Sequence, residues 1–168
     1  MNQLTTSYVT VSIGSNINRE FHIRQAVAAL KNHFGELACS PVYETAAVGF
    51  NGEDFLNLVV GFHTSIEVYA VSSVLKAIED ELGRDRSLPK FSARSIDLDL
   101  LGYDDLILDE LGVQIPRHEI LKNAFVLKPL SDIDGAGVHP QLGKSYQQLW
   151  AEMKESAGRI DVYQMDLN

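Results

Sequence analysis

The sequence predicts an α+β sandwich with an antiparallel sheet and both main helices on one face. The order is strand, helix, strand, strand, helix, strand, the split βαβ or ferredoxin-like arrangement. Three observations carry this. A run of alternating apolar and polar residues opens the chain, two separate apolar stripes recur at helical spacing, and glycines fall where each stripe ends. No internal repeat or long linker divides the 168 residues, so a single domain over residues 1–168 is expected.

In residues 8–13, Val9, Val11 and Ile13 alternate with Tyr8, Thr10 and Ser12, the period of a half-buried strand. Gly14-Ser15-Asn16 reads as a strand-ending turn with a structural role. A helix follows, with Asn18 as N-cap, Glu20 in the first turn, and Ile23, Val27, Leu30 and Phe34 at helical spacing up to Gly35. An extended stretch over 36–48, interrupted by Pro41, leads to a loop over 49–54. Residues 56–64 are dense in apolar side chains, which implies a strand buried on both faces. A second helix starts near Ser65 or Ile66 and aligns Val68, Val71, Leu75, Ile78 and Leu82 before Gly83. A polar loop over 84–95 contains Pro89. The fourth strand covers 96–103, and a short strand over 106–108 pairs as a hairpin. Pro116, Pro129 and Pro140 break up the remainder, leaving one late helix at about 145–155.

Composition excludes several classes of function. The chain is 45% hydrophobic and 22% charged, and no stretch approaches 18 apolar residues, so no membrane span is expected. Residues 1–6 lack the basic start and apolar run of a signal peptide. A single cysteine, Cys39, excludes an internal disulfide and a cysteine-based zinc site, and points to a reducing, cytoplasmic compartment. The charge sum, 14 − 23 = −9, argues against nucleic acid or an anionic membrane as partner. A ferredoxin-like RNA-binding module would also need aromatics on its central strands, where this chain has aspartates and aliphatics. Yet Arg84, Arg86, Lys90 and Arg94 crowd into residues 84–94. An acidic protein that concentrates cations in this way is suited to a small polyanion.

The chemistry centres on Arg94-Ser-Ile-Asp97-Leu-Asp99-Leu-Leu. Residues two apart on a strand share a face, which sets the Asp97 and Asp99 Cα atoms ~6.5–7 Å apart while Ile96, Leu98 and Leu100 enter the core. Two adjacent carboxylates repel, and a divalent cation relieves that cost; Mg²⁺ typically takes one or two protein carboxylates and completes its shell with water and phosphate oxygens. Two spare acids on a solvent-facing strand fit the pattern equally well. The arginines favour the first alternative, because a magnesium polyphosphate needs guanidinium forks as well as carboxylates. No Walker-type loop is present. Phe55 and Asn57 share a strand face, as suits stacking and edge recognition of a flat heterocycle, and Phe125 is a second candidate wall; by pattern alone a core Phe with a strand-end Asn, and core packing of Phe125, explain them better. His22, His33, His63, His118 and His139 lack paired metal spacing and read mostly as surface or capping residues. His118 stands out for its place beside Arg117.

Taken together, these residues resemble the 6-hydroxymethyl-7,8-dihydropterin pyrophosphokinase family of folate biosynthesis, over roughly residues 8–150. The most specific part is Arg84-x-Arg86 followed by Arg94-x-x-Asp97-Leu-Asp99-Leu-Leu. Ile13-Gly-Ser-Asn16, Val42-Tyr-Glu-Thr45 with Gly49, Phe55-Leu-Asn57, Glu79 and Phe125-Val-Leu-x-Pro129-Leu support it. The resemblance implies pyrophosphate transfer from ATP to the pterin hydroxymethyl group, with AMP released. It implies two Mg²⁺ ions held by Asp97 and Asp99, catalytic arginines at Arg84 and Arg94, and Arg86, Lys90 and Phe91 in a loop that closes over the site. It places Glu79, Arg117, His118 and Lys122 with the nucleotide. The pterin would lie between Phe55 and Phe125, read by Asn57 and by the backbone of Thr45, Ala46, Ala47 and Val48. The partners implied are these two small molecules, for a monomeric protein.

The chain departs from the family pattern in its nucleotide clamp. Arg117 stands where a histidine is expected, with His118 one place later. Asn123 replaces an arginine beside Lys122, Lys90-Phe91 replaces an arginine-tryptophan pair, and Ala46-Ala47 replaces two prolines. A diverged paralogue with the same fold and pterin pocket but altered catalysis is therefore the alternative. The departures bear on ATP affinity and turnover more than on reaction class.

Overall fold

Alternating apolar residues leave the sheet with two faces of different character, and each face carries its own layer of helices. The computed structural model describes residues 5–46, 53–83 and 95–167. The strands are β1 (Ser7–Ser15), β2 (Ala38–Cys39), β3 (Val42–Thr45), β4 (Phe55–Thr64), β5 (Asp97–Tyr103) and β8 (Asp161–Tyr163), in the order β5-β1-β4-β3-β8, with β2 also on β4. All these pairings are antiparallel. The four-strand centre, β5-β1-β4-β3, is the ferredoxin-like order that the sequence predicts.

Val9, Val11 and Ile13 of β1, Leu56, Leu58 and Val60 of β4, and Leu98 and Leu100 of β5 form one core with α1 (Arg19–Phe34) and α2 (Val68–Glu81). The helices contribute Ile23, Val27 and Leu30, and Val71, Leu75 and Ile78. The opposite face is also covered, by α3 (Ala124–Asp134) and α4 (Tyr146–Met153), with Val59, Leu101, Val126, Leu127 and Leu130 in a second core. This explains why β4 is apolar on both faces. Pro129 lies inside α3 rather than ending it. Pro129 is buried and has no backbone N–H to give the helix ladder.

Local boundaries shift for physical reasons. β1 runs on through Gly14 and Ser15, which pair with Asn57 and Leu56, so Gly14-Ser15 is strand and not turn. Asn18 does precede α1, but in the left-handed region and without a side-chain cap. α2 begins at Val68, because the Glu67 carboxylate accepts from the amides of Tyr69 and Ala70. The hairpin falls at β6 (Leu108–Glu110) and β7 (Val113–Ile115), not at 106–108; its turn uses Leu111 and Gly112 at positive φ. His139 is buried, not at the surface, and its Nδ1 accepts from the Gln141 amide. Among the described residues no helix is long and apolar enough to cross a membrane.

Candidate active site

β5 sends Leu98 and Leu100 into the first core and leaves Asp97 and Asp99 on the opposite face, half-buried. The register continues this face across the sheet. Gly14 pairs with both Asp97 and Asn57, and Asn57 pairs with Tyr43. Two carboxylates on β5 and the buried amide of Asn57 on β4 therefore lie on one face with β1 between them, on the side that carries α3. Asn57 Nδ2 donates to Thr45 Oγ1 at 2.8 Å, which fixes the amide. Phe55, two residues before Asn57 on β4, lies on the same face; a Cβ on Gly14 would sit 2.9 Å from Asn57 Oδ1 and 3.9 Å from the Phe55 ring. Phe125 opens α3 and packs half-buried against the second core. The hydroxyl of Tyr43 donates to Asp132, which also accepts from Lys128 Nζ at 2.8 Å, so β3 is tied directly to α3.

The other edge of β5 forms a cleft of about 150 Å³, lined in part by Lys76, Glu79, Leu98, Asp99, Gln114 and Arg117. Glu79 is buried and its Oε2 accepts from the Leu98 amide at 2.9 Å. The Arg117 backbone donates to the Leu101 carbonyl at 3.0 Å, extending the β5 edge. Its Nη2 lies 3.6 Å from Asp99 Oδ1 and its Nε lies 3.0 Å from Glu119. Burial pushes the Asp99 carboxyl up to about 6; the Arg117 guanidinium opposes this, while the carboxylates of Asp97, Glu79 and Glu119 add to it. An anionic pair held in such surroundings suits a divalent cation with oxygen ligands. Among the described residues no group of three or more His, Cys, Asp or Glu is placed to bind a metal. The Asp97–Asp99 pair could hold an ion that draws its remaining ligands from water and phosphate.

The structure brings together Asp97 and Asp99 with Glu79 and Arg117 around β5, and Thr45, Phe55 and Asn57 at the adjoining end of β3 and β4. Ala46 follows β3 and is exposed. His118 and Lys122 are exposed and do not line the cleft; the His118 amide donates to Gln114 Oε1. Ala47, Val48, Arg84, Arg86, Lys90, Phe91 and Arg94 lie outside the described residues. Sequence reasoning misses Gly14 as a contributor to the site. The available signal was a glycine inside a strand pattern, which marks a close approach. It also misses Ser15, whose Oγ donates to the carbonyls of Ser95 and Ile17, fixing the residue from which β5 departs.

A family model described as 7,8-dihydro-6-hydroxymethylpterin-pyrophosphokinase matches residues 10–135. A 2-amino-4-hydroxy-6-hydroxymethyldihydropteridine pyrophosphokinase of Bacillus subtilis (strain 168) is 35% identical over 127 residues, 73% of this chain and 75% of that protein. The protein of the same name from Aquifex aeolicus is 30% identical over 146 residues, 86% of this chain and 91% of its own length. A folic acid synthesis protein of Pneumocystis carinii is 35% identical over 147 residues, but there the chain spans only 20% of the relative. The crystal structure of Plasmodium falciparum HPPK-DHPS with pterin and p-hydroxybenzoate superimposes with a TM-score of 0.73 at 15% identity, covering 93% of this chain and 45% of that one. At that identity the likeness shows the fold.

Proposed function

Because this chain belongs to the 7,8-dihydro-6-hydroxymethylpterin-pyrophosphokinase family and is an enzyme of that class, we propose that it transfers pyrophosphate from ATP to the hydroxymethyl oxygen of 6-hydroxymethyl-7,8-dihydropterin. The products are the pterin diphosphate and AMP. The observation that carries this reading is the shared sheet face: the Asp97–Asp99 pair and the Thr45–Asn57–Phe55 cluster are separated by β1 alone, at its one side-chain-free position, Gly14.

Asp97 and Asp99 would hold two Mg²⁺ ions, which when bound neutralise phosphate charge and orient the phosphates. The protein's own part is largely positional. Asn57, pre-set by Thr45, reads polar edges of the heterocycle, while Phe55 and Phe125 supply apolar walls for its faces. Glu79 and Arg117, which line the cleft with Asp99, are proposed to contact the nucleotide. Arg84 and Arg94 are proposed to bind the phosphates, and Arg86, Lys90 and Phe91 to contribute to ATP binding. His118 and Lys122, exposed and outside the cleft lining, are proposed as further nucleotide contacts. Attack by the hydroxymethyl oxygen on the β-phosphorus breaks the α–β bridge and leaves AMP. We also propose a monomer working in the cytoplasm on small molecules alone, in keeping with its single cysteine and its charge of −9.

The test is AMP release from ATP in the presence of Mg²⁺ and the pterin. Wild-type protein should release AMP only when the pterin is present, and Asp97→Ala or Asp99→Ala should lower turnover at least ~100-fold with the fold retained. Undiminished turnover in either variant removes the metal assignment. The Arg117–Asp99 ion pair favours a second reading, a paralogue in which the nucleotide clamp is altered. Calorimetry separates them: pterin binding without Mg-ATP binding supports the paralogue.

A further inference from the structure

The C-terminal segment lies beyond the residues matched by the family model, 10–135, yet it is built into the sheet that carries the site. β8 pairs with β3, Glu44 opposite Asp161 and Val42 opposite Tyr163. The Tyr163 hydroxyl donates to Glu20 Oε1 at 2.9 Å, Arg24 Nε donates to the Asp166 carbonyl at 2.7 Å, and Met165 and Leu167 pack against the first core. These contacts secure the strand from which Arg159 reaches back. Arg159 Nη2 donates to Asp54 Oδ2 at 2.9 Å and to Glu44 Oε1 at 3.2 Å, while its Nε donates to Asp161 Oδ2 at 2.8 Å.

Glu44 and Asp54 are the immediate neighbours of Thr45 and Phe55, which are themselves paired across β3 and β4. One guanidinium therefore ties the end of β3 to the start of β4. A second does the same from α1: Arg19 Nη1 lies 2.6 Å from Glu44 Oε2 and donates to the Asp54 carbonyl at 3.0 Å. An exposed ion pair contributes little to stability. A planar donor fork bridging two strand ends instead fixes geometry, which substrate binding senses directly.

We propose that Arg159 is a positioning residue for the heterocycle pocket, holding the strand ends that present Thr45, Asn57 and Phe55 from the side opposite the substrate. This rests on the pyrophosphokinase reading. The experiment varies the pterin at saturating Mg-ATP, and Mg-ATP at saturating pterin, for wild type, R159A, R159K and D54N. R159A should raise the pterin KM three- to tenfold and leave the ATP KM within twofold. R159K should recover part of this, since an ammonium lacks the fork. The R159A/D54N double variant should lose less than the product of the single effects. A pterin KM within twofold of wild type in R159A, or equal rises in both KM values, overturns the proposal. Amide hydrogen exchange at Thr45 and Phe55 supplies a readout without turnover, with faster exchange expected in R159A. A wild-type chain that releases no AMP sinks the pyrophosphokinase reading, and the exchange measurement then decides whether Arg159 fixes these ends.

Discussion

Asp99 concentrates the electrostatics of the site in one side chain. Burial and the neighbouring carboxylates of Asp97, Glu79 and Glu119 raise its folded pKa to about 6, against an ordinary 3.8, while among the described residues Arg117 opposes them. A raised carboxyl means the folded chain holds the proton more tightly than the unfolded one. Its stabilising contribution is full below about pH 4 and is lost as pH rises through about 6. Asparagine imitates the protonated acid, so the difference in Tm between Asp99→Asn and metal-free wild type should move in the variant's favour between pH 4 and pH 7. A flat difference would remove the raised pKa. If the proposed metal assignment holds, magnesium affinity should fall as pH drops through about 6, since Mg²⁺ requires the carboxylate. Gly14 acts through space rather than charge. Its missing Cβ would meet Asn57 Oδ1 at 2.9 Å, and Asn57 is buried and committed to Thr45. Gly14→Ala should cost about 1–3 kcal/mol in urea unfolding, as overpacking does. It should also weaken pterin binding by displacing the amide; unchanged stability and binding would show that Asn57 yields freely.

At the scale of elements, what the sequence made legible follows from local period. β1, β5, α1 and α2 each repeat an apolar residue at a spacing that only one backbone shape aligns, β4 shows instead as a short run of continuous apolar density, and the Asp97–Asp99 pair follows from strand alternation alone. The elements that escaped are those whose stability is non-local. α3 contains Pro129, which argues against a helix until the packing of Val126, Leu127 and Leu130 in the second core is known. β8 has three residues and exists through its pairing with β3 and the reach of Arg159. Arg117 was visible as a departure from the family pattern, but its contact with Asp99 depends on β7 and the segment after it docking along β5. The start of α2 fails for a different reason. Glutamate is an unusual N-cap, yet Glu67 accepts from Ala70 N at 2.9 Å and Tyr69 N at 3.2 Å. Glu67→Ala should therefore destabilise the protein by about 1 kcal/mol, the usual worth of a lost cap, with both substrate KM values unchanged. A loss below ~0.3 kcal/mol would mean that water caps the helix equally well.

For the whole molecule, the sheet separates two cores with different duties. α1 and α2 close one face with apolar side chains, and α2 also lines the cleft beside Asp99 through Lys76 and Glu79. On the other face the second core stops short of the sheet's end, so that Asp97, Asp99, Asn57 and Thr45 remain beside it, and α3 brings Phe125 to the same side. Truncations of equal size should then act unequally on function. Leu30 and Leu101 are both fully buried, one in each core. Leu30→Ala and Leu101→Ala should each cost about 2–5 kcal/mol of stability, since both leave a cavity among packed neighbours. Leu101 also shares its strand face with Asp97 and Asp99 and packs in the core that seats Phe125, so its loss loosens the site itself. With both variants held at a temperature where circular dichroism shows them folded, Leu101→Ala should raise the pterin KM at least fivefold more than Leu30→Ala. Equal kinetic effects at equal stability loss would mean that the sheet passes strain through from either side, and that the site depends on global stability rather than on the core built beneath it.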